Sequence, residues 1–116
     1  MINFINLTPH PITVCDEAGN ITLNILPSGT IARVDMEYQE VPSVLGVPCR
    51  RQSSKGIVGL PEANLSADSC YIVSTMVLSH PVCSGRNDVV SPDTNPGSVV
   101  RSDSGQIIGV RGFLRP

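Results

Sequence analysis

Turn-forming residues divide this chain into short segments, and that feature constrains its fold more than any other. Ten glycines and ten prolines interrupt the 116 residues, while valine and isoleucine supply 24 and alanine only four. Because β-branched side chains favour the pleated surface of a sheet and Gly and Pro favour turns, the chain is predicted to be rich in β-strands. Its length fits a single domain, residues 1–116, with a radius of gyration of about 13 Å.

Two pairs of alternating apolar segments predict β-hairpins. Ile12–Cys15 and Ile21–Ile25 flank a five-residue loop that contains glycine, and Val99–Arg101 and 106–111 flank the polar turn 102–105. Alternation of apolar and polar residues across a short glycine-containing loop is the usual signal of two antiparallel strands. We therefore expect one hairpin near each end of the chain.

The segments between these hairpins are harder to interpret. A Pro-Ser-Gly turn leads into 30–34, which is predicted as the third strand of a meander after the first hairpin. From 35 to 52 the alternation is poor, and Pro42, Gly46 and Pro48 interrupt it. Only 43–47 is predicted there as a short edge strand or hairpin arm, because proline is tolerated in strands mainly at sheet edges.

A continuous apolar run at 70–73 predicts a strand covered on both faces, and it leads directly into a short helix. Ser74 or Thr75 would be the N-cap, and Pro81 would limit the helix to about two turns, because the residue before proline resists the helical conformation. The predicted fold class is therefore mostly β (α+β): a small compact sheet or barrel of hairpins with one short helix after a central strand.

Composition and pattern exclude several classes of protein. The net charge is −2 and aromatic residues make up 3%, so the basic surface and stacking platforms of a nucleic-acid binder are missing. The first six residues do not resemble a signal peptide, and no run of about 18 apolar residues could span a membrane. We expect a protein of the host cytoplasm that contacts neither membrane nor polymeric nucleic acid. Its four widely spaced cysteines are predicted to be reduced core residues, without zinc.

No catalytic motif is recognisable in the chain. There is no Gly-x-Ser-x-Gly elbow and no phosphate-binding P-loop, and the two histidines, His10 and His80, both stand next to prolines. Asp88 and Asp93 do not show the spacing of a metal site. We therefore predict no metal and no cofactor, and leave open whether the protein is an enzyme, with a non-catalytic role favoured.

Several sequence blocks follow one another over nearly the whole chain: 6–12, which contains Asn-Leu-Thr-Pro-His, then 26–34, 71–74, 86–94, 100–101 and 105–113. Together these blocks resemble a family of small phage and prophage proteins that begin with an Asn-Leu-Thr-Pro-His sequence. This chain departs from the family at 95–97, where Asn-Pro-Gly replaces Gly-Pro-Thr. The resemblance implies a viral gene product and supplies no reaction.

Positive charge in this chain is almost entirely arginine, with seven Arg and one Lys. Arginine presents a planar fork of donors that binds phosphate or carboxylate at two points, which lysine does not. Arg86, Arg101, Arg111 and Arg115 lie in the last third, near Asp88, Asp93 and Thr94. The alternative is that Arg101 and Arg111 are solvent-facing residues opposite one another that pair weakly with Asp88 or Asp103.

The leading hypothesis is a phage binding protein that sequesters a small anionic nucleotide signal of host antiviral defence. Hydroxyl groups and arginines would hold the phosphate, and a loop aspartate would bind ribose or base. Because a chain of this size has little room for a deep pocket, we expect a homo-oligomer with sites near subunit interfaces. The predicted ligand-binding residues are Thr8, His10, Ser74, Thr75, Arg86, Asp88, Asp93, Thr94, Arg101 and Arg111.

Two further hypotheses compete with sequestration. The first is a non-catalytic phage protein that binds a host or virion protein through an exposed sheet edge. The second is an enzyme that cleaves the nucleotide with His10 or Asp88 as the base. Two roles are also open for Ser74, because a serine at the start of a helix can contact an anion or serve as an ordinary N-cap.

Overall fold

The computed structural model describes residues 3–63 and 68–116, and it is built mostly of strands, as predicted. The single α-helix of this described part is α1 (Thr75–Leu78), and a 3₁₀ turn, Pro81–Cys83, follows it. The strands are β1 (Asn3–Asn6), β2 (Ile12–Cys15), β3 (Ile21–Ile25), β4 (Arg33–Val44), β5 (Val47–Val58), β6 (Ser69–Ile72), β7 (Val89–Pro92), β8 (Val99–Arg101), β9 (Ile107–Val110) and β10 (Phe113–Leu114).

The first sheet has the strand order β1-β6-β7-β10, and its centre is the strand predicted from the apolar run at 70–73. β6 pairs in parallel with both β1 and β7, while β10 adds to β7 in the antiparallel direction. Parallel pairing requires both faces to be covered, which explains the uninterrupted apolar sequence. The principal core lies against this sheet and consists of Leu7, Ala32, Tyr71, Val73, Val77, Leu78, Cys83 and Val89.

The second sheet, in the order β3-β2-β9-β8, joins the two predicted hairpins. Both hairpins, β2–β3 and β8–β9, are confirmed. They meet where Val14 of β2 pairs in parallel with Val110 of β9. Gly109 permits this approach, because a Cβ atom there would lie 2.8 Å from the Sγ atom of Cys15 and 2.9 Å from the Thr13 carbonyl oxygen.

A third, two-stranded sheet is the long hairpin β4–β5, and here the sequence prediction is wrong. β4 does not continue the meander: its partner is β5, in antiparallel register from Arg33 opposite Val58 to Val44 opposite Val47. The predicted short strand at 43–47 is in fact the tip, with Leu45 and Gly46 forming the turn. Prolines 42 and 48 are accommodated because each strand of the hairpin has an unpaired edge.

We call residues Arg33–Val58 the arm and the remaining described residues the body. The radius of gyration is 17.0 Å and the principal extents are 52 × 41 × 24 Å, so the predicted compact shape with a radius of about 13 Å is wrong. The reason is the arm, in which no residue is buried. Its base contacts the body: Val34 and Ile57 pack against the core, and Ser54 is hydrogen bonded to His80.

The helix lies where the sequence placed it and is shorter than predicted. Ser74 is its N-cap, and its Oγ atom accepts a hydrogen bond of 3.4 Å from the Val77 amide. α1 comprises one turn instead of two, because His80 takes an extended conformation before Pro81. No helix in the described ranges is long and apolar enough to cross a membrane.

The four cysteines are all free thiols, and their positions agree only partly with the predicted core role. Cys15 and Cys83 are buried, whereas Cys70 is half-buried and Cys49 lies half-buried in the arm. Burial raises the pKa of the Cys70 and Cys83 thiols, which keeps both sulfurs protonated near neutral pH.

Candidate functional site

Thr8 and His10, two of the predicted ligand residues, belong to a hydrogen-bonded turn around the buried side chain of Asn6. The Asn6 Oδ1 atom accepts bonds from the Thr8 amide (2.9 Å) and the Thr8 hydroxyl (2.6 Å). Its Nδ2 atom donates to the carbonyl oxygens of His10 (2.8 Å) and Ile25 (3.1 Å). The Asn-Leu-Thr-Pro-His sequence therefore links the first sheet to the second, and Thr8 has a structural partner.

Arg86 and Asp88 form a two-point ion pair in the body. The Arg86 Nε and Nη2 atoms donate to the two carboxylate oxygens of Asp88 at 2.9 and 2.8 Å, and Nη1 donates to the Pro61 carbonyl at 3.0 Å. The two side chains are only 12% and 8% exposed. The hydrogen bonds that Arg86 donates to the Asp88 carboxylate raise the pKa of Arg86. All three donor-bearing nitrogens of this guanidinium therefore bind atoms of the chain itself.

Arg101 and Arg111 also make bonds within the chain. Arg101 Nη1 donates to the Gly105 carbonyl (2.7 Å) and closes the β8–β9 turn, while Arg111 Nη1 donates to the Val99 carbonyl (3.2 Å). The register does not place these two arginines opposite one another, as the alternative expected. Arg101 lies opposite Ile107, and Asp88 is paired with Arg86.

Asp93 organises the loop before β8. Its Oδ1 atom accepts bonds from the amide and side chain of Asn95 (3.1 and 2.7 Å), and its Oδ2 atom accepts from the Ser98 hydroxyl (2.8 Å). The Ser98 hydroxyl, followed by the Asn95 groups, lowers the pKa of Asp93. The Arg111 amide donates to the Ser98 carbonyl, so Arg111 adjoins this loop, where Thr94 is exposed.

Ser74 and Thr75 remain at the start of α1, where Ser74 acts as the N-cap and the Thr75 carbonyl accepts from the Ser79 hydroxyl at 2.9 Å. The predicted ligand residues thus fall into separate groups: the Asn6 turn, the Arg86–Asp88 pair, the start of α1, and the loops around β8. Each group has a local structural role, because polar side chains that are partly buried must find partners.

The structure contains a cleft that sequence reasoning missed, between the end of α1 and the residues after β10. Its volume is about 430 Å³, which is within the range of small-molecule sites. Arg115 supplies a guanidinium, whose Nη1 atom makes one long bond of 3.4 Å to the Asn87 carbonyl. The lining residues are Leu78, Ser79, His80, Pro81, Ser84, Arg115 and Pro116.

His80 has a defined tautomer in this cleft. Its Nδ1 atom accepts a bond of 3.2 Å from the Val82 amide, so in the neutral ring the proton resides on Nε2. Nε2 lies 2.8 Å from the Ser54 hydroxyl oxygen, to which it therefore donates. His80 therefore makes two bonds: a cap of the 3₁₀ turn and a link to the arm.

The Ser54–His80 pair does not have the arrangement of a nucleophile and its base. A catalytic histidine must accept the serine proton, while a third group orients its other nitrogen by accepting a proton from it. Here the Val82 amide donates to that second nitrogen instead. Within residues 3–63 and 68–116, no three His, Cys, Asp or Glu side chains lie together as a metal ion would require.

No sequence signal could have identified the cleft. Arg115 is one of seven arginines, and only the packing of the segment after β10 near α1 distinguishes it from the others. No protein-family model, curated protein or solved structure matches the chain.

Proposed function

We propose that this protein acts by binding, without chemistry, and that it sequesters a small anionic, nucleotide-like molecule in the cleft beside α1. The observation that carries the proposal is the composition of that cleft. A guanidinium, an imidazole and two serine hydroxyls surround a space of about 430 Å³, and Leu78 and the prolines supply apolar walls. Ligand sites of this kind combine a few polar groups with a mainly apolar lining.

Arg115 is the residue best suited to hold the phosphate. Its guanidinium is exposed, and its one bond to the chain within the described residues is the long contact with Asn87. Arg86, by contrast, is committed to Asp88 and Pro61. A planar fork with free donors can bind phosphate at two points, and this bidentate geometry favours arginine over lysine.

Sequestration agrees better than hydrolysis with the hydrogen bonds around the cleft. The His80 nitrogen nearest a hydroxyl carries a proton in the neutral ring, so it is not available as a base. His10, the base suggested by the cleavage hypothesis, is exposed in the turn after β1, and Asp88 is engaged by Arg86. The resemblance to phage proteins supplies a context, namely a nucleotide signal of host antiviral defence.

Calorimetric titration of the full chain with cyclic nucleotides and ADP-ribose derivatives tests the proposal. We expect one member of the panel to bind at micromolar affinity or better, and Arg115→Gln to weaken that binding at least tenfold. Chromatography of the ligand after prolonged incubation and denaturation of the protein should return it unchanged. Detection of a cleaved product would show that the protein hydrolyses the ligand instead of only sequestering it.

Two control variants locate the site. Arg33→Gln removes an exposed arginine at the base of the arm and should leave affinity unchanged. Arg101→Gln tests the loop region that the sequence favoured. A loss of binding in Arg101→Gln with no change in Arg115→Gln would move the ligand away from the cleft, and no binding by any member of the panel would refute the proposal.

A second candidate function, docking to another protein through an exposed sheet edge, is favoured by the arm. Both edges of this hairpin lack a strand partner within the described residues. Unpaired edges are templates for strand addition.

A further inference from the structure

The arm is more exposed than is usual for a stable two-stranded hairpin. None of its 26 residues is buried, and its only sheet partner within the described chain is itself. Isolated two-stranded hairpins are marginally stable in water, and long bare edges attract further strands. This arrangement favours a role in which the arm is covered by a partner.

The tip of the arm points to the same role. Leu45 is 99% exposed and has a positive φ of 49°, in a two-residue turn completed by Gly46 at φ 81°. Such turns favour Asn, Asp or Gly at the first position, because a branched side chain is strained there. Val44 and Val47 beside it are 61% and 62% exposed. An apolar tip is thus presented to solvent at a cost in backbone strain.

The charges of the arm are separated by strand. β4 carries three acidic residues, Asp35, Glu37 and Glu40, and one basic residue. β5 carries three basic residues, Arg50, Arg51 and Lys55, and no acidic residue. One edge of the arm is therefore acidic and the other basic.

Within a single arm these charges only partly satisfy one another. Lys55 and Glu37 are 3.6 Å apart and both remain more than half exposed. Arg50 stacks on the ring of Tyr38 at 4.3 Å and lies opposite Glu40 in the register. Each of these side chains retains a solvent-facing side on which a second group of opposite charge can pack.

We infer that the partner of the arm is a second copy of this chain, with the β4 edge of one arm beside the β5 edge of the next. Two arms that point the same way place β4 antiparallel to the neighbouring β5, which is the relation that the two strands already have within one arm. The pairing sets the acidic edge against the basic edge. A two-fold dimer through equal edges would instead oppose three cations to three cations.

The contact joins two different edges, so it is heterologous and leaves one edge of each arm open. Contacts of this type either close into a ring or continue into an open filament. We expect the closed form, a cyclic oligomer of three or more copies, with the arms forming a shared β-structure and the bodies around it. The inference does not rest on the proposed ligand, because the cleft is lined by residues of the body.

The mass of the full-length chain in solution, measured by light scattering or sedimentation at micromolar concentration, tests the inference. We expect at least three times the mass of one chain. The variant R50E/R51E, whose β5 edge becomes acidic, should be monomeric while keeping the circular dichroism spectrum and melting profile of a folded protein. The fourfold variant E37K/E40K/R50E/R51E restores opposite charges on the two edges and should assemble again.

A matched control changes charges on the body, where E17R/D103R alters two exposed turn residues and should leave the mass unchanged. A second variant, Leu45→Asn, relieves the strained turn and removes the apolar tip, so it should weaken assembly without unfolding the chain. A monomeric or dimeric wild type, or full assembly of R50E/R51E, would overturn the inference. A monomer whose arm captures a different protein would assign the arm to that partner instead.

Discussion

The body and the arm use the same kinds of residue in opposite ways. In the body, polar side chains such as the buried Asn6 and the largely covered Arg86 make their hydrogen bonds to atoms of the chain itself. In the arm, arginines and carboxylates are exposed and are arranged by strand. The difference teaches that arginine content alone does not reveal a binding surface, since burial decides whether a charged group stabilises the fold or remains available to a partner.

The largest expected effect is a difference in unfolding free energy between substitutions of one arginine in the body and one in the arm. Arg86→Met leaves the nearly buried carboxylate of Asp88 without its ion-pair partner, and should lower the free energy of unfolding by about 3–5 kcal/mol. Arg50→Met in the arm removes an exposed contact with Tyr38 and should cost less than about 1 kcal/mol. Urea unfolding at one fixed protein concentration measures both. Equal losses would contradict the division into body and arm.

A smaller loss is expected at the turn that joins the two sheets. Asn6→Ala removes four hydrogen bonds made by a side chain that is 1% exposed, and it takes away the Oδ1 acceptor of the buried Thr8 amide. The unfolding free energy should fall by about 3 kcal/mol. The matched control is Asn24→Ala, whose exposed bond to Thr13 is 3.2 Å long and whose loss should cost about 0.5 kcal/mol or less. Similar unfolding midpoints for the two variants would show that the Asn6 turn does not stabilise the fold.

At the tip of the arm we expect a gain in local stability. Leu45→Asn places a residue that tolerates positive φ at the strained position, and should stabilise the hairpin by about 1 kcal/mol. Gly46→Ala, at φ 81°, should have the opposite sign. Hydrogen exchange of the arm amides in an assembly-deficient background such as R50E/R51E reports both. Faster exchange in Leu45→Asn would mean that the leucine stabilises the isolated arm.

The smallest effect concerns the acid sensitivity of the turns of the body. Hydrogen bonds from Asn20 lower the pKa of Asp16, and those from Ser98 and Asn95 lower the pKa of Asp93. A carboxyl group whose pKa is lowered by folding contributes stability above its ordinary value of 3.8, and loses it as the pH falls through the lowered value. Thermal unfolding between pH 6 and pH 2 should therefore show a loss below about pH 4.

Asp93→Asn should reduce that loss, whereas the control Asp103→Asn should leave it unchanged. NMR titration of the Asp93 carboxyl carbon gives the direction of the pKa shift independently of stability. A pKa of Asp93 above 3.8 would contradict the hydrogen-bond pattern of this loop.

Elements whose signal is local were predictable. The hairpins β2–β3 and β8–β9 follow from alternation across short glycine-containing loops, and the N-cap Ser74 is one of the two residues predicted from their place between a strand and a helix. The arm was missed because most of it contacts water on both faces: apolar and polar residues alternate only over 33–38 of β4, and the segment 50–55 of β5 has no apolar residue. The cleft was missed because it depends on residues distant in sequence, Arg115 and the end of α1.

The sequence by itself determined that this protein is built of short strands and tight turns with one brief helix, because those preferences arise from neighbouring residues. Tertiary structure decided the rest: the parallel contact between β2 and β9, the projection of the arm, the bonds of Arg86 to Asp88 and Pro61, and the place of Arg115 in a cleft. The physical reason is that local backbone preferences act within a few residues. Strand pairing and burial of charge depend on which distant segments meet.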